Sequence, residues 1–242
     1  MKNLFFAFTV FLASSVSYAF DDLTGGKDLF TWGWEDQIQP TINRSYDTKG
    51  LSILAAGAAS TAMAHQYDDT VRRHNDDINR RIFDRDTTDL GGYLGSGGPG
   101  IAIALAQLFW DTENGLAHSR AIALTAANHI TLAAIIHRER PNKRDSLSMP
   151  SGHASSSFAT ATSLAYAYGW QVGVPAYLVA GFIAATRVSE NIHWTSDVVA
   201  AAALGIYWGR ASSLVAEDRK NSPQVMPTFT HEGAMLTATW DF

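Results

Sequence analysis

The chain has 242 residues, a formal net charge of −5 and no cysteine, and 46% of its residues are hydrophobic. This length allows one domain with a substantial core. The absence of cysteine excludes disulfide bonds, and the negative charge without a basic run argues against nucleic acid as a partner.

The N-terminal residues have the pattern of a secretory signal. A charged start is followed by the apolar run 4–13, and the small residues Ser17 and Ala19 occupy the −3 and −1 positions of a cleavage site. An uncleaved N-terminal anchor is the alternative interpretation. We predict a signal peptide at 1–19 and a periplasmic location for the mature chain.

Residues 20–49 are predicted to form a mixed, polar N-terminal extension. It contains Phe30, Trp32 and Trp34 close together. Such aromatic side chains either pack on a core or touch a lipid interface. We expect packing, and peripheral membrane contact stays the alternative.

Residues 50–217 are predicted to form an all-α domain, a helical bundle of about six core helices. Many residues of its apolar segments are Ala, which favours helices, and glycine-rich breaks separate them. The predicted helices cover about 50–66, 99–110, 118–137, 154–169, 173–188 and 196–215. The highly charged stretch 67–90 is predicted to be a solvated helix and loop without a site.

The apolar segments leave the relation to a membrane open. Most of their uncharged runs last about 12–17 residues, fewer than the roughly 20 needed to span a bilayer. The exception is 154–186, which lacks Lys, Arg, Asp and Glu and would form either two buried core helices or a hairpin of spans. We expect a soluble or peripheral domain.

Residues 218–242 depart from the helical pattern. Alternating apolar residues at Leu236, Ala238, Trp240 and Phe242 predict a short C-terminal β-hairpin.

His193 and Asp197 are the first candidate pair for chemistry. They are four residues apart, so on a helix the carboxylate would accept a proton from one imidazole nitrogen. The other nitrogen would then serve as a nucleophile or base. A surface pair is one alternative. A metal site is another, but the arginines expected nearby would repel a divalent cation, and we predict neither a metal nor another cofactor.

Pro150-Ser151-Gly152-His153 is the second candidate segment. Pro and Gly predict a turn that opens a helix near residue 154, and the free N–H groups of a helix N-terminus bind anions. The alternative is a simple helix cap. His153 would lie at the edge of the anion site, where it can give a proton to a leaving group. Arg140 and Arg187 have the fork geometry that suits phosphate oxygens.

Together these segments resemble the phosphatidic acid phosphatase type 2 (PAP2) and vanadium haloperoxidase superfamily. Its signature has a Lys/Arg-Pro part, a Pro-Ser-Gly-His part and an Arg-x5-His-x3-Asp part. The second part matches at 150–153 and the third at 187–197, with Thr186 where the family usually has Ser.

The resemblance implies a mechanism. His193 would attack phosphorus and form a phosphohistidine, Asp197 would orient it, and His153 would protonate the leaving oxygen and later activate water. The residues implied to hold the equatorial phosphate oxygens are Arg140, Arg187, Ser151 and Gly152, with Arg138 as a further candidate.

One departure affects the implied function. The family lysine, seven residues before the arginine of Arg140-Pro141, is replaced by Ala133, and Arg138 is a candidate for the missing charge. We predict a metal-independent phosphatase acting on a phosphate monoester or pyrophosphate, with a small-molecule or lipid phosphate as substrate. The alternatives are a vanadate-dependent haloperoxidase and a phosphate- or phospholipid-binding envelope protein with a weakened site.

Overall fold

The computed structural model of the protein describes residues 24–221, 224–230 and 233–239. The predicted signal peptide at 1–19 lies outside them. The described residues up to Pro40 form one compact unit, and those from Thr41 onward form another.

The helices in chain order are α1 Leu29–Thr31, a π-helix Trp32–Ile38, α2 Gln39–Ser45, α3 Thr48–His65, α4 Asp68–Asp76, a 3-10 helix Ile78–Arg80, α5 Arg85–Leu94, α6 Gly98–Gln107, α7 Thr112–Ile136, α8 Gly152–Tyr168, α9 Trp170–Ser189 and α10 Thr195–Lys220.

The N-terminal unit begins its helical part at a side-chain cap. The Asp28 carboxylate accepts the N–H groups of Phe30 and Thr31, which satisfies donors that a helix start leaves without a partner. Phe30 is 83% exposed and Trp34 is 50% exposed. The expectation that these aromatic side chains are packed is therefore wrong for both.

The predicted all-α class is confirmed, and all six predicted core helices are present within a few residues of their expected ends. The largest shift concerns α7, which begins at Thr112 rather than at about 118. The helix α9 begins at Trp170 rather than at about 173, and it contains Pro175. Pro175 is the sixth residue of α9 and has no N–H group, so the helix continues there without one intrahelical hydrogen bond.

Small side chains let the core helices approach closely. α10 packs against α8, α7 and α3, and α9 packs against α8 and α5. A Cβ added to Gly205 of α10 would lie 2.4 Å from the Ser155 carbonyl oxygen of α8. The buried residues at these contacts are largely alanines, including Ala154, Ala159 and Ala201. The backbones of α8 and α10 therefore contact each other directly, and this contact fixes how their N-termini lie together.

Among the described residues, three helices are long and apolar enough to cross a membrane, namely α7, α9 and α10. The expectation that the apolar runs are too short to span is therefore wrong for α7 and α10, whereas most of α9 lies in the stretch 154–186, for which spans were left open. Large apolar side chains point outward on α7 and α9: Ile135 is 73% exposed and Leu178 is 70% exposed.

Two strands follow the helices. β1 Gln224–Thr230 and β2 Gly233–Thr239 pair antiparallel, with Val225 opposite Ala238. They lie where the sequence predicts the C-terminal hairpin. Trp240 and Phe242, which belong to the predicted alternating pattern, lie outside the described residues.

Candidate active site

The candidate residues meet where several helix ends come together. Ser151 is the N-cap of α8, Arg187 lies in the last turn of α9, and Asp197 lies in the first turn of α10. The loop after α7 carries Arg138 and Arg140. The close packing of α8 with both α9 and α10 brings these ends together.

His193 is oriented by a backbone carbonyl. Its Nδ1 lies 2.7 Å from the carbonyl oxygen of Ser148, whereas the nearest Asp197 oxygen is 3.8 Å away. Because a carbonyl only accepts, Nδ1 carries the proton and Nε2 keeps its lone pair. The predicted direct hydrogen bond to Asp197 is thus replaced by one to Ser148.

Nε2 of His193 faces Arg140. The Arg140 Nη1 atom lies 3.0 Å from Nε2 and 3.2 Å from the Ile192 carbonyl oxygen. The Nε atom of Arg140 donates to the Asp145 carboxylate at 2.6 Å. The guanidinium is therefore held beside the predicted nucleophile, at a place where it can also reach phosphate oxygens.

Asp197 is fully buried, and its carboxylate is surrounded by donors. One oxygen accepts Arg138 Nη1 at 2.6 Å. The other accepts the Ser148 hydroxyl and the backbone N–H of Trp194, the latter at 2.9 Å. Such a buried carboxylate is stable as an anion only with partners of this kind. It supports the loop that holds His193.

Arg138 belongs to this carboxylate network. Besides Asp197, it donates from Nη2 to Asp68 at 2.8 Å, and its guanidinium lies 5.1 Å from the centre of the Trp194 ring. Arg138 thus lies between two carboxylates, and phosphate binding by Arg138 stays a prediction.

Asp68 was not predicted as a site residue. Its carboxylate accepts the Ser196 N–H at 3.0 Å and the Ser196 hydroxyl at 2.6 Å, so it caps the N-terminus of α10. Burial alone would raise the pKa of Asp68, but hydrogen bonds from Ser196 and Arg138 outweigh burial and lower the pKa. The expectation that 67–90 is only solvated is wrong, because α4 supports the site.

The start of α8 is built as an anion site would require. Ser151 is fully buried, and its hydroxyl oxygen accepts the N–H of Ala154 at 3.5 Å. Ser151 therefore caps the helix, as the alternative interpretation of this segment expected. Phosphate binding by Ser151 and Gly152 stays a prediction. The N–H of Gly152, the first residue of α8, has no partner within the helix.

His153 follows directly on α8. Burial, and after it the positive charge of Arg187, lowers the pKa of His153 to about 4, and Arg140 acts in the same direction. The structure thus brings His153, His193 and the two arginines within electrostatic reach of each other. In the free protein His153 is neutral at neutral pH, because protonation would add a cation to a cationic site.

Arg187 is held from two sides. It donates to the Thr88 carbonyl oxygen of α5, and its Nη1 lies 3.0 Å from Glu190. A Cβ added to Gly92 would lie 3.0 Å from the same Nη1. Because Thr88 belongs to α5, a second part of the charged stretch 67–90 positions a predicted phosphate ligand, and Gly92, just beyond that stretch, leaves room for it.

Three residues near the site escaped sequence reasoning, namely Ser148, Asp68 and His129. Ser148 acts partly through its backbone carbonyl, which any residue type would supply. Asp68 lies within a run of charged residues, and His129 lies on an apolar helix outside the three-part signature.

Comparisons with known proteins cover the part of the chain that carries the candidate site. Residues 128–221 match the PAP2 superfamily profile, and both complete motif segments fall within that range. This part of the chain is therefore similar to the PAP2 superfamily.

Similar proteins include lipid phosphatases. A lipid A 1-phosphatase of Porphyromonas gingivalis is 38% identical over 84 residues, which cover 33% of this chain and 19% of the relative. The match thus spans about a fifth of that protein's length. The crystal structure of LpxE from Aquifex aeolicus has a TM-score of 0.53 at 22% identity and covers 60% of this chain and 92% of the other. This likeness shows a shared fold.

A further solved structure is a transmembrane PAP2-type phosphatidylglycerolphosphate phosphatase of Bacillus subtilis. It has a TM-score of 0.49 at 18% identity, and the match covers 76% of this chain and 97% of the other.

Proposed function

We propose that the protein is a metal-independent phosphatase that hydrolyses a lipid phosphate monoester or pyrophosphate through a phosphohistidine. The observation that carries the proposal is the His193 Nδ1 contact with the Ser148 carbonyl at 2.7 Å. It directs the proton to Nδ1 and leaves the Nε2 lone pair for attack on phosphorus.

The proposed reaction has two steps. In the first, Nε2 of His193 forms a bond to phosphorus, the bond to the leaving oxygen breaks, and His153 gives that oxygen a proton. In the second, His153 takes a proton from water as the water oxygen attacks phosphorus, which releases inorganic phosphate and free His193.

The low pKa of His153, about 4, suits both steps once substrate is bound. A phosphate dianion beside His153 favours the protonated ring and raises its pKa. The neutral ring of the free protein thus takes up its proton with the substrate, whereas Arg140 and Arg187 stabilise the charge on the phosphoryl oxygens.

The proposal that the substrate is a lipid at a membrane is supported by the exposed apolar side chains of this protein and by the similar proteins described above. α7, α9 and α10 have the length and composition of membrane spans, and Ile135 and Leu178 are largely exposed. The curated relative named above is a lipid A phosphatase. We propose that the three helices lie in the bilayer and that the mature protein faces the periplasm.

The test is phosphate release in EDTA by the purified protein in detergent, with a lipid phosphate and a soluble ester as substrates. We expect release by wild type and a loss of roughly a thousandfold or more in His193→Ala, because the nucleophile is removed. His74→Ala, an exposed histidine of α4, is the control and should match wild type. Equal release by wild type and His193→Ala, or activity abolished by chelation, would contradict the proposal. Binding of phosphate without turnover would indicate the binding-protein alternative.

A further inference from the structure

His129 of α7 borders the start of α8 from outside the three-part signature. A Cβ added to Gly152 would lie 2.8 Å from both Cε1 and Nε2 of His129. The ring edge that carries Nε2 therefore lies against the first residue of α8, beside the N–H groups predicted to hold an anion. This contact also explains why residue 152 is glycine, since a larger residue would displace the ring.

His129 lies near the positive charge of Arg140. Both Arg140 and the His193 ring are close enough to act electrostatically on the His129 ring. The side chain is partly buried. Within the described part of the chain, neither ring nitrogen has a hydrogen-bond partner. A partly buried polar ring without a partner among positive groups is a place where a bound anion would supply the missing contact.

On the helix face of His129, the position one turn later offers no alternative donor. Ala133 lies four residues after His129 and is 4% exposed, so this position contributes no polar side-chain atom. Residues four apart share one helix face. Among the α7 residues on this face next to Gly152, His129 is the one with an N–H group to offer.

We infer that His129 is a further phosphate-binding residue, whose Nε2–H donates to a non-bridging phosphate oxygen beside the Gly152 amide. The inference rests on the proposed function, because it places the phosphoryl group at the start of α8. Hydrogen bonds to charged groups typically contribute enough to change a dissociation constant about tenfold to a hundredfold.

The experiment measures the Kd of inorganic phosphate by calorimetry in detergent, so it does not depend on turnover. We expect His129→Ala to weaken binding about tenfold or more. His129→Gln keeps an N–H donor at similar reach and should recover most of the affinity. His74→Ala should bind as wild type does. Thermal unfolding of each variant checks that it is folded.

The outcomes separate this inference from the proposed function. If His129→Ala binds phosphate as wild type does, or if His129→Gln binds no better than His129→Ala, the ring acts by packing alone and the inference is wrong. If wild type binds phosphate in a His129-dependent way but releases none from any ester, the inference stands and the proposed hydrolysis fails.

Discussion

At the scale of single residues, Ser148 supports both members of the histidine–carboxylate pair. Its carbonyl oxygen lies 2.7 Å from His193 Nδ1, its hydroxyl donates to Asp197, and its own N–H donates to the Arg138 carbonyl at 3.0 Å. A substitution that removes only the hydroxyl of Ser148 therefore takes away the hydrogen bond to Asp197 and keeps the carbonyl that orients His193.

We expect Ser148→Ala to lower kcat about tenfold and to destabilise the fold by about 1–3 kcal/mol, because a buried carboxylate loses a donor. Phosphate release and thermal unfolding measure the two effects. Ser146→Ala, two residues earlier in the same loop, is the control and should change neither. An unchanged kcat in Ser148→Ala would mean that the carbonyl alone positions the site.

His153 makes stability depend on pH. Its pKa in the folded protein is about 4 and that of a free histidine is about 6.5, so between these values the unfolded chain binds more protons than the native one. Stability is therefore lost as pH falls from about 6.5 towards 4 and is regained as pH rises.

We expect His153→Gln to reduce this pH dependence, because the variant has no proton to take up at this position. Thermal midpoints at pH 4.5 and pH 7.5 measure the slope for both proteins. Identical slopes for wild type and His153→Gln would show that His153 is not responsible.

At the scale of elements, the contact between α8 and α10 decides where the N-termini of these helices lie. Gly205 allows it, since a Cβ there would lie 2.4 Å from the Ser155 carbonyl oxygen and 2.7 Å from the Ala159 nitrogen. Both neighbours are backbone atoms that cannot rotate away. Because Gly152 begins α8 and Asp197 lies in the first turn of α10, a shift between the two helices also moves the site.

We expect Gly205→Ala to destabilise the protein by about 1–3 kcal/mol through overpacking and to lower phosphate release as well. Gly181→Ala is the matched control, because nothing lies within 4 Å of a Cβ at Gly181. Alanine has a higher helix propensity than glycine, so Gly181→Ala should raise the free energy of unfolding by up to about 1 kcal/mol. Thermal unfolding in detergent compares them, and equal midpoints for the two variants would contradict the packing explanation.

At the scale of the whole molecule, the surfaces of α7 and α9 are unusual for a protein in water. In the most apolar 18-residue segment of α7, only 22% of the residues are buried, and in that of α9 the share is 39%. Large exposed apolar areas mark contact with another apolar phase. The charged residues of α10 that lie deep in the helix are paired, as in the Arg210 contact with Asp47 at 2.8 Å.

We expect the protein to stay in the membrane pellet after a carbonate or high-salt wash and to be released by detergent. Spanning helices resist both washes, since their removal exposes apolar surface to water. A peripheral control protein in the same preparation should be released by carbonate. Release of this protein by carbonate alone would restore the soluble or peripheral interpretation and contradict the proposed membrane spans.

The sequence by itself determined the features that depend on neighbours along the chain. Alanine-rich apolar runs between glycine breaks predicted the helices. The spacing from Arg187 through His193 to Asp197 predicted that these three residues belong to the candidate site. These signals are local, because helix formation and the shared face of residues four apart need only short-range geometry.

Only the tertiary structure decided what these segments meet. Asp68 caps a helix whose Ser196 is 128 residues away, and the same carboxylate accepts a hydrogen bond from Arg138. His193 is oriented by a carbonyl group that leaves no mark in a sequence, since every residue has one. Which of many possible donors and acceptors pair depends on the packing of small residues such as Gly152 and Gly205, and this packing exists only once the helices are assembled.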